Sequence, residues 1–374
     1  MKRISITPRP GWQSTIQEQG FVYYKDYYNE SAAYEFTATE IDRLESASAQ
    51  IFEMCLAVID HVIQHQLWDE FFIPKEYAAL ITHSWKEDAI SFYGRLDLAY
   101  NGTDIKLLEF NADTPTSLLE ASVIQWYWLQ DYNKGFDQFN SIHEKLLAHL
   151  KVCQEHFLPG KLFFTCSHGS EEDFITTKYL EDVAQQAGID TAFLYMNEIG
   201  VDNRELFCTA AGEIMRNIFK LYPWEWMFRE EFGHYLTINQ HGMNWIEPPY
   251  KAILSNKMLL KYLYELFPTS PFILPCAYGK PLSESYVRKP VFSREGANTL
   301  VVHKNVMLEE TGGEYGAEGY IYQEYFPIPK HYGETPVIGS WLIGGEPAGM
   351  GIRESSGLIT GNSSLFCPHY FLPR

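Results

Sequence analysis

The chain lacks most of what would tie it to a membrane, a nucleic acid, a disulfide scaffold or a common nucleotide motif. No apolar run approaches the length of a bilayer span, so no spanning helix is expected. The opening MKRISITPRPGW carries a basic pair with no apolar stretch behind it, which argues against a secretory signal and for a cytoplasmic address. Basic residues are few: 29 Lys and Arg stand against 48 Asp and Glu, a net charge of −19. Such a field repels nucleic acid and anionic lipid and mildly attracts metal ions and amines. The six cysteines (Cys55, Cys153, Cys166, Cys208, Cys276, Cys367) are scattered with no CxxC pair, so neither a zinc site nor a disulfide framework is expected. They are expected to be reduced and buried as small hydrophobes. The absence of GxxxxGK[ST] excludes a P-loop, and no GxGxxG supports a dinucleotide site. Neither an internal repeat nor a low-complexity tract interrupts the chain.

What is present describes a globular protein. Its 374 residues, 46% hydrophobic and 21% charged, leave room for two or three packed subdomains. Aromatic residues reach 16% and cluster in WYWLQDY and YPWEWMF, runs that suit a core or a groove wall.

The stretch Ser91–Ala121, SFYGRLDLAYNGTDIKLLEFNADTPTSLLEA, is the most informative. Phe92, Leu96 and Leu98 share one parity, and Arg95 and Asp97 the other, as in a half-buried strand. After the Asn101-Gly102 turn signal, Leu108 and Phe110 are expected to pack while Glu109 and Asn111 share the polar face. A three-residue loop at Gly102–Asp104 sets Asp97 opposite Glu109 and Arg95 opposite Asn111. Two carboxylates that close repel unless a cation, a proton or an arginine lies between them. Hard oxygen donors of this kind suit magnesium, which takes further ligands from phosphates and water. The same spacing also suits a surface hairpin with a solvated polar face.

Elsewhere the patterns predict a long amphipathic helix over 37–68, starting near Thr37 or Thr39. A helix is expected to begin near Thr114–Ser117, with Pro115 at its start and an N-terminus able to receive a carboxylate or phosphate. Lys161–Ser167, a helix to Gly188 and Thr191–Met196 read as a βαβ unit. Glu171 and Glu172, in the loop after its first strand, are placed to hold an amine or a peptide N-terminus, and suit equally the first turn of a helix. After residue 250, proline-separated strands predict an antiparallel subdomain. Within it Lys289 precedes the loop SREGAN, Lys257 opens NKMLLKYLYELF, Tyr322–Tyr325 suits a strand reading an adenine edge, and Arg353 is placed to reach a phosphate. Together these describe a nucleotide cleft opposite a magnesium-binding face.

These landmarks carry a family resemblance. Arg95-Leu96-Asp97, Glu109-Phe110-Asn111-Ala112-Asp113, Ser170-Glu171-Glu172, Asn256-Lys257, Lys289-Pro290 with Arg294 and Gly296, Ile321-Tyr322-Gln323, Gly349–Arg353 and Pro368-His369 occur in one order over nearly the full length. In them the chain resembles the synthetase domain of glutathionylspermidine synthase and its stand-alone acid–amine ligase relatives. The resemblance implies an α+β, ATP-grasp-like synthetase with a small βαβ subdomain. It divides into N-terminal helices and the hairpin (1–125), a substrate part (126–248) and a β-rich nucleotide-binding part (249–374), all one unit (1–374). It also implies ATP and two magnesium ions, with Asp97, Glu109 and Asn111 as metal ligands and Arg95 stabilising the transition state. Nucleotide contacts are implied for Arg95, Leu96, Asp97, Lys257, Lys289, Gly296, Gln323, Arg353, Leu358, Ile359 and Thr360. Thr114, Glu171 and Glu172 fall on the substrate side. The implied reaction activates a small carboxylate as an acyl phosphate, which a peptide or polyamine-like amine attacks. Where the relatives carry lysines after Arg353, this chain has Gly361-Asn362. Two further readings stand beside the ligase: a nucleotide-binding regulator without turnover, and a glycoside hydrolase using Asp97 and Glu109.

Overall fold

The computed structural model describes residues 1–373. Helix Ala38–His65 begins where the sequence places it. Thr37 caps it through a capping box, its hydroxyl accepting from Glu40 N–H while the Glu40 carboxylate accepts from Thr37 N–H. Its apolar stripe (Ile41, Leu44, Ile51, Cys55, Val58, Val62) is buried. The expectation that no segment reaches membrane length is corrected here: among the described residues this one helix is long and apolar enough to span. Its stripe instead packs within the fold, against helix Met258–Leu266 and strands Thr335–Ile343 and Glu346–Ser355.

Three sheets organise the α+β chain. The first is a four-stranded parallel sheet in the order Thr191–Tyr195, Leu162–Cys166, Asn217–Leu221, Asn244–Ile246. Helix Glu171–Gln186, capped by Ser170, completes the expected βαβ unit. The strand order reverses between Leu162–Cys166 and Asn217–Leu221. In parallel sheets of this kind ligands bind at the carboxyl ends of the strands where the order reverses, here Cys166 and Leu221.

The proline-separated strands expected after residue 250 form, but not as one sheet. Tyr286–Pro290, Leu300–His303 and Tyr320–Glu324 join Cys276–Tyr278 and Val306–Glu310 in an antiparallel sheet, the cleft sheet. Thr335–Ile343 instead pairs with strand Tyr93–Tyr100 of the hairpin Tyr93–Tyr100/Ile105–Asn111, and Glu346–Ser355 pairs on its other side, making with Leu365–Cys367 the central sheet. All six cysteines are free and buried, as expected.

The helix expected near Thr114–Ser117 begins at Leu118, so Pro115 lies ahead of its first turn. Residues 115–117 carry no helix, Ser117 has φ 68°, and the helical run follows, with the π-turn Glu120–Ile124 leading into Gln125–Tyr132. The carbonyls of Pro115 and Thr116 accept hydrogen bonds from Tyr93 Oη (3.2 Å) and Arg95 Nη1 (2.8 Å), which hold this segment out of a helix.

Candidate active site

Arg95 lies opposite Asn111 and Asp97 opposite Glu109, the pairing the sequence implies. The route differs. Tyr100 pairs with Ile105, so four residues form the loop, and a bulge beside Asp97 restores the register by making Leu108 the extra residue. The Asn101 side chain closes that loop by accepting from the Thr103 and Asp104 N–H groups at 2.9 and 2.7 Å. Leu108 consequently borders the cleft instead of packing in the core, while Phe110 is buried as expected.

Ile105–Asn111 is an edge strand, and its open carbonyls are taken by the cleft sheet. Lys289 Nζ donates to Leu108 O at 2.8 Å and Gln323 Nε2 to Leu107 O at 2.9 Å. Lys289 also donates to Gln323 Oε1 at 2.9 Å. These bonds close one end of a cavity between the central and cleft sheets. Asp97, Glu109, Lys257 and Lys289 form its polar wall. Val287, Val301, Phe326, Ile328 and Val337 make an apolar recess in the same cavity. Gly296, Leu358, Ile359 and Thr360 lie at its rim. At Gly296, with φ 68°, an added Cβ would stand 2.6 Å from Ile359 and 2.7 Å from Thr360 O, so only glycine fits.

The acidic face is tightly wired. Arg95 grips Asp97 in a two-point pair, Nε to Oδ1 at 2.6 Å and Nη2 to Oδ2 at 3.0 Å. Asn111 Nδ2 donates to Asp97 Oδ2 (3.0 Å) and Glu109 Oε1 (3.2 Å), while Lys257 Nζ stands 3.4 Å from Glu109 Oε2. Burial pushes the Glu109 carboxyl up, but Lys257, Lys289, the Asn111 bond and Arg95 outweigh it and bring it down to about 2. Burial pushes the Asp97 carboxyl up against the pull of Arg95. The Lys289 ammonium is pushed down by burial to about 8, with Glu109 opposing.

Other candidates group around this centre. Arg353 shares a smaller cavity with Arg95, Asp97 and Ser117, and its Nη2 donates to Gly361 O at 2.7 Å. Its guanidinium lies 5.0 Å over the Tyr27 ring. Thr114 Oγ1 accepts from Arg294 Nη1 at 2.6 Å, and Arg294 Nη2 reaches Glu225 Oε1 at 2.6 Å. Thr114, Asn111, Glu109 and Lys257 border a third small cavity. Two candidates stand apart. The Leu96 side chain is wholly buried in the core, and Glu171 is exposed at the first turn of its helix. Glu172 Oε1 accepts from Tyr27 Oη at 3.4 Å. Sequence patterns gave no sign of Tyr27, Glu120 or Glu225, whose partners lie 69 or more residues away.

Residues 3–372 match the glutathionylspermidine synthase preATP-grasp family. A Haemophilus influenzae protein named an acid–amine ligase is 38% identical over 398 aligned positions that span all of both chains. The trypanothione synthetase of Crithidia fasciculata is 29% identical over 332 positions, 79% of this chain and 50% of its own, so the chain spans half of that relative's length. Among solved structures, the apo form of a glutathione synthetase-like effector from Globodera pallida superposes with a TM-score of 0.54 at 12% identity, covering 98% of this chain and all of that one. It shares the fold. The chain belongs to the glutathionylspermidine synthase preATP-grasp family, and the relatives above are named an acid–amine ligase and a synthetase.

Proposed function

We propose that the protein is an ATP- and magnesium-dependent carboxylate–amine ligase that forms an amide bond through an acyl phosphate. The observation that carries this reading is the convergence of Asp97, Glu109, Lys257 and Lys289 on one cavity that also has an apolar recess. The recess suits an adenine ring, and the two lysines suit the phosphates. Gly296 and the run Leu358–Thr360 border the same space.

The donor set fits a hard divalent cation. Asp97, Glu109 and Asn111 are the residues that would hold it, and the amide nitrogen donating to both carboxylates stands between them as a cation would. Bound magnesium supplies charge neutralisation for a transferring phosphoryl group. Arg95, already fixed by Asp97 and Thr116 O, presents guanidinium N–H groups toward charge that develops there. Arg95 and Arg353 flank the adjoining cavity, which suits the carboxylate substrate.

In the reaction a carboxylate oxygen attacks the γ-phosphorus of ATP and ADP leaves. The amine nitrogen, in its neutral form, then attacks the acyl carbon. Inorganic phosphate leaves and the nitrogen gives up a proton. The substrates are a small carboxylate and a peptide or polyamine-like amine, the second held from the side of Glu171 and Glu172.

A glycosidase needs one carboxyl group that stays protonated as general acid. Glu109 is held at about 2, and although burial raises the Asp97 carboxyl, both of its oxygens accept from Arg95 or Asn111, so neither is suited to that role. The ligase reading is tested by magnesium-dependent phosphate release from ATP over a panel of small peptides and polyamines. Release that requires both an acid and an amine is expected; a wild-type protein silent on ATP throughout would contradict it.

A further inference from the structure

The acidic hairpin is fastened to the parallel sheet at its exit by a buried ion pair and at its entry by backbone hydrogen bonds to a buried carboxylate, and none of the four charged residues involved borders the cavities described above. At the exit, Asp113 is 1% exposed and accepts from Lys220 Nζ at 2.5 Å and from Trp224 N at 2.9 Å. Lys220 is fully buried, donates also to Tyr222 O at 2.9 Å, and lies 4.5 Å over the Trp224 ring. At the entry, Glu247 accepts from the Phe92 and Tyr93 N–H groups at 2.9 and 3.2 Å and pairs with Lys251 at 2.5 Å. Trp224 joins the two ends, since its indole N–H donates to Glu247 O at 3.1 Å.

Lys220 belongs to strand Asn217–Leu221, and Glu247 directly follows Asn244–Ile246. The hairpin thus hangs from the carboxyl ends of two neighbouring parallel strands. Burying a charge pair is a poor route to stability, because well-packed apolar residues of similar volume often serve as well or better. Directional N–H···O bonds, in contrast, fix one register between the parts they join. The chain passes straight from Asp113 to Thr114, whose hydroxyl is tied through Arg294 to Glu225, the residue after Trp224. A closed ring of contacts therefore links the hairpin, the parallel sheet and the loop holding Gly296.

We infer that Asp113 and Lys220 are positioning residues: their buried pair holds the hairpin so that a carboxylate in the cavity between Arg95 and Arg353 meets the face formed by Arg95, Asp97 and Glu109. This rests on the ligase reading above. The test is the double variant Asp113→Asn/Lys220→Met, which removes both charges together, with Asp113→Leu/Lys220→Met as a second charge-free pair. Melting temperature, affinity for AMP-PNP with magnesium, and kcat and KM for phosphate release over the peptide and polyamine panel are measured on each. The expected result is a melting temperature within about 5 °C of wild type, AMP-PNP affinity within about threefold, and kcat lowered about 30-fold or more with a raised KM for the carboxylate. A kcat within threefold of wild type overturns the inference. So does a parallel loss of melting temperature, nucleotide affinity and kcat in both variants, which would make the pair merely structural. A wild-type protein that neither binds AMP-PNP nor releases phosphate overturns the ligase reading itself, and the inference with it.

Discussion

Asp97 and Glu109 face each other directly across the hairpin, and one amide nitrogen, that of Asn111, donates to both. Two ionised carboxylates kept this close are tolerated because Arg95 grips one and Lys257 stands beside the other. Neutralising either acid removes a candidate cation ligand with little change of shape. Asp97→Asn and Glu109→Gln are each expected to lower magnesium-dependent phosphate release by about 1000-fold or more, while circular dichroism stays that of wild type. Wild-type turnover in Asp97→Asn would show that the acidic face does not hold the metal.

Arg95 makes three hydrogen bonds from one planar group, and a lysine cannot reproduce them. Arg95→Lys is therefore expected to lose about 100-fold in kcat. AMP-PNP affinity, set mainly by Lys257, Lys289 and the apolar recess, should stay within about threefold. Stopped-flow phosphate release and calorimetry on the same preparation check both halves.

Lys289 gives a pH signature. Burial lowers its ammonium to about 8, and a triphosphate binds the charged form. AMP-PNP affinity should be flat below pH 8 and fall above it, by up to about tenfold per pH unit until the lysine of the complex also titrates. Lys289→Arg, charged throughout, should remove the break. Affinity measured from pH 6.5 to 9.5 decides it, and a wild-type profile flat over that range would contradict the assignment.

Glu120 gives a stability signature. It is fully buried, its Oε1 accepts from Tyr23 Oη at 2.6 Å, and its Oε2 has no hydrogen-bond partner. Burial, followed by the charge of Glu172, raises its carboxyl to about 7. A carboxyl raised on folding contributes fully while it is protonated in both states; that contribution is lost as pH climbs from the unfolded value through 7. The loss approaches about 3 kcal/mol above pH 7. Glu120→Gln should stabilise the protein by about that amount at pH 8 and by almost nothing at pH 4.5. Urea unfolding at the two pH values reads the difference.

Local chemistry was legible in the sequence, and long-range chemistry was not. Alternation fixed which hairpin residues share a face, and the Asp97–Glu109 pairing followed even though the turn is longer and a bulge makes up the difference. Thr37 and Thr39 marked a helix start, and Thr37 is its cap. Pro115 pointed to another helix start, but its carbonyl is claimed by Tyr93, 22 residues earlier. The strand Thr335–Ile343 read correctly as β, yet its neighbour Tyr93–Tyr100 lies far back in the chain, a pairing that no periodicity announces. The same holds for Lys220, an inconspicuous residue within NIFKL whose partner Asp113 is 107 positions away.

The most direct test of the central claim is calorimetric titration of AMP-PNP into the wild-type protein and into Asp97→Asn, each with and without magnesium. The account predicts that magnesium tightens wild-type binding by about tenfold or more. It also predicts that Asp97→Asn keeps the metal-free affinity but loses that increment. Equal wild-type affinities with and without magnesium, or an increment that survives in Asp97→Asn, would contradict it.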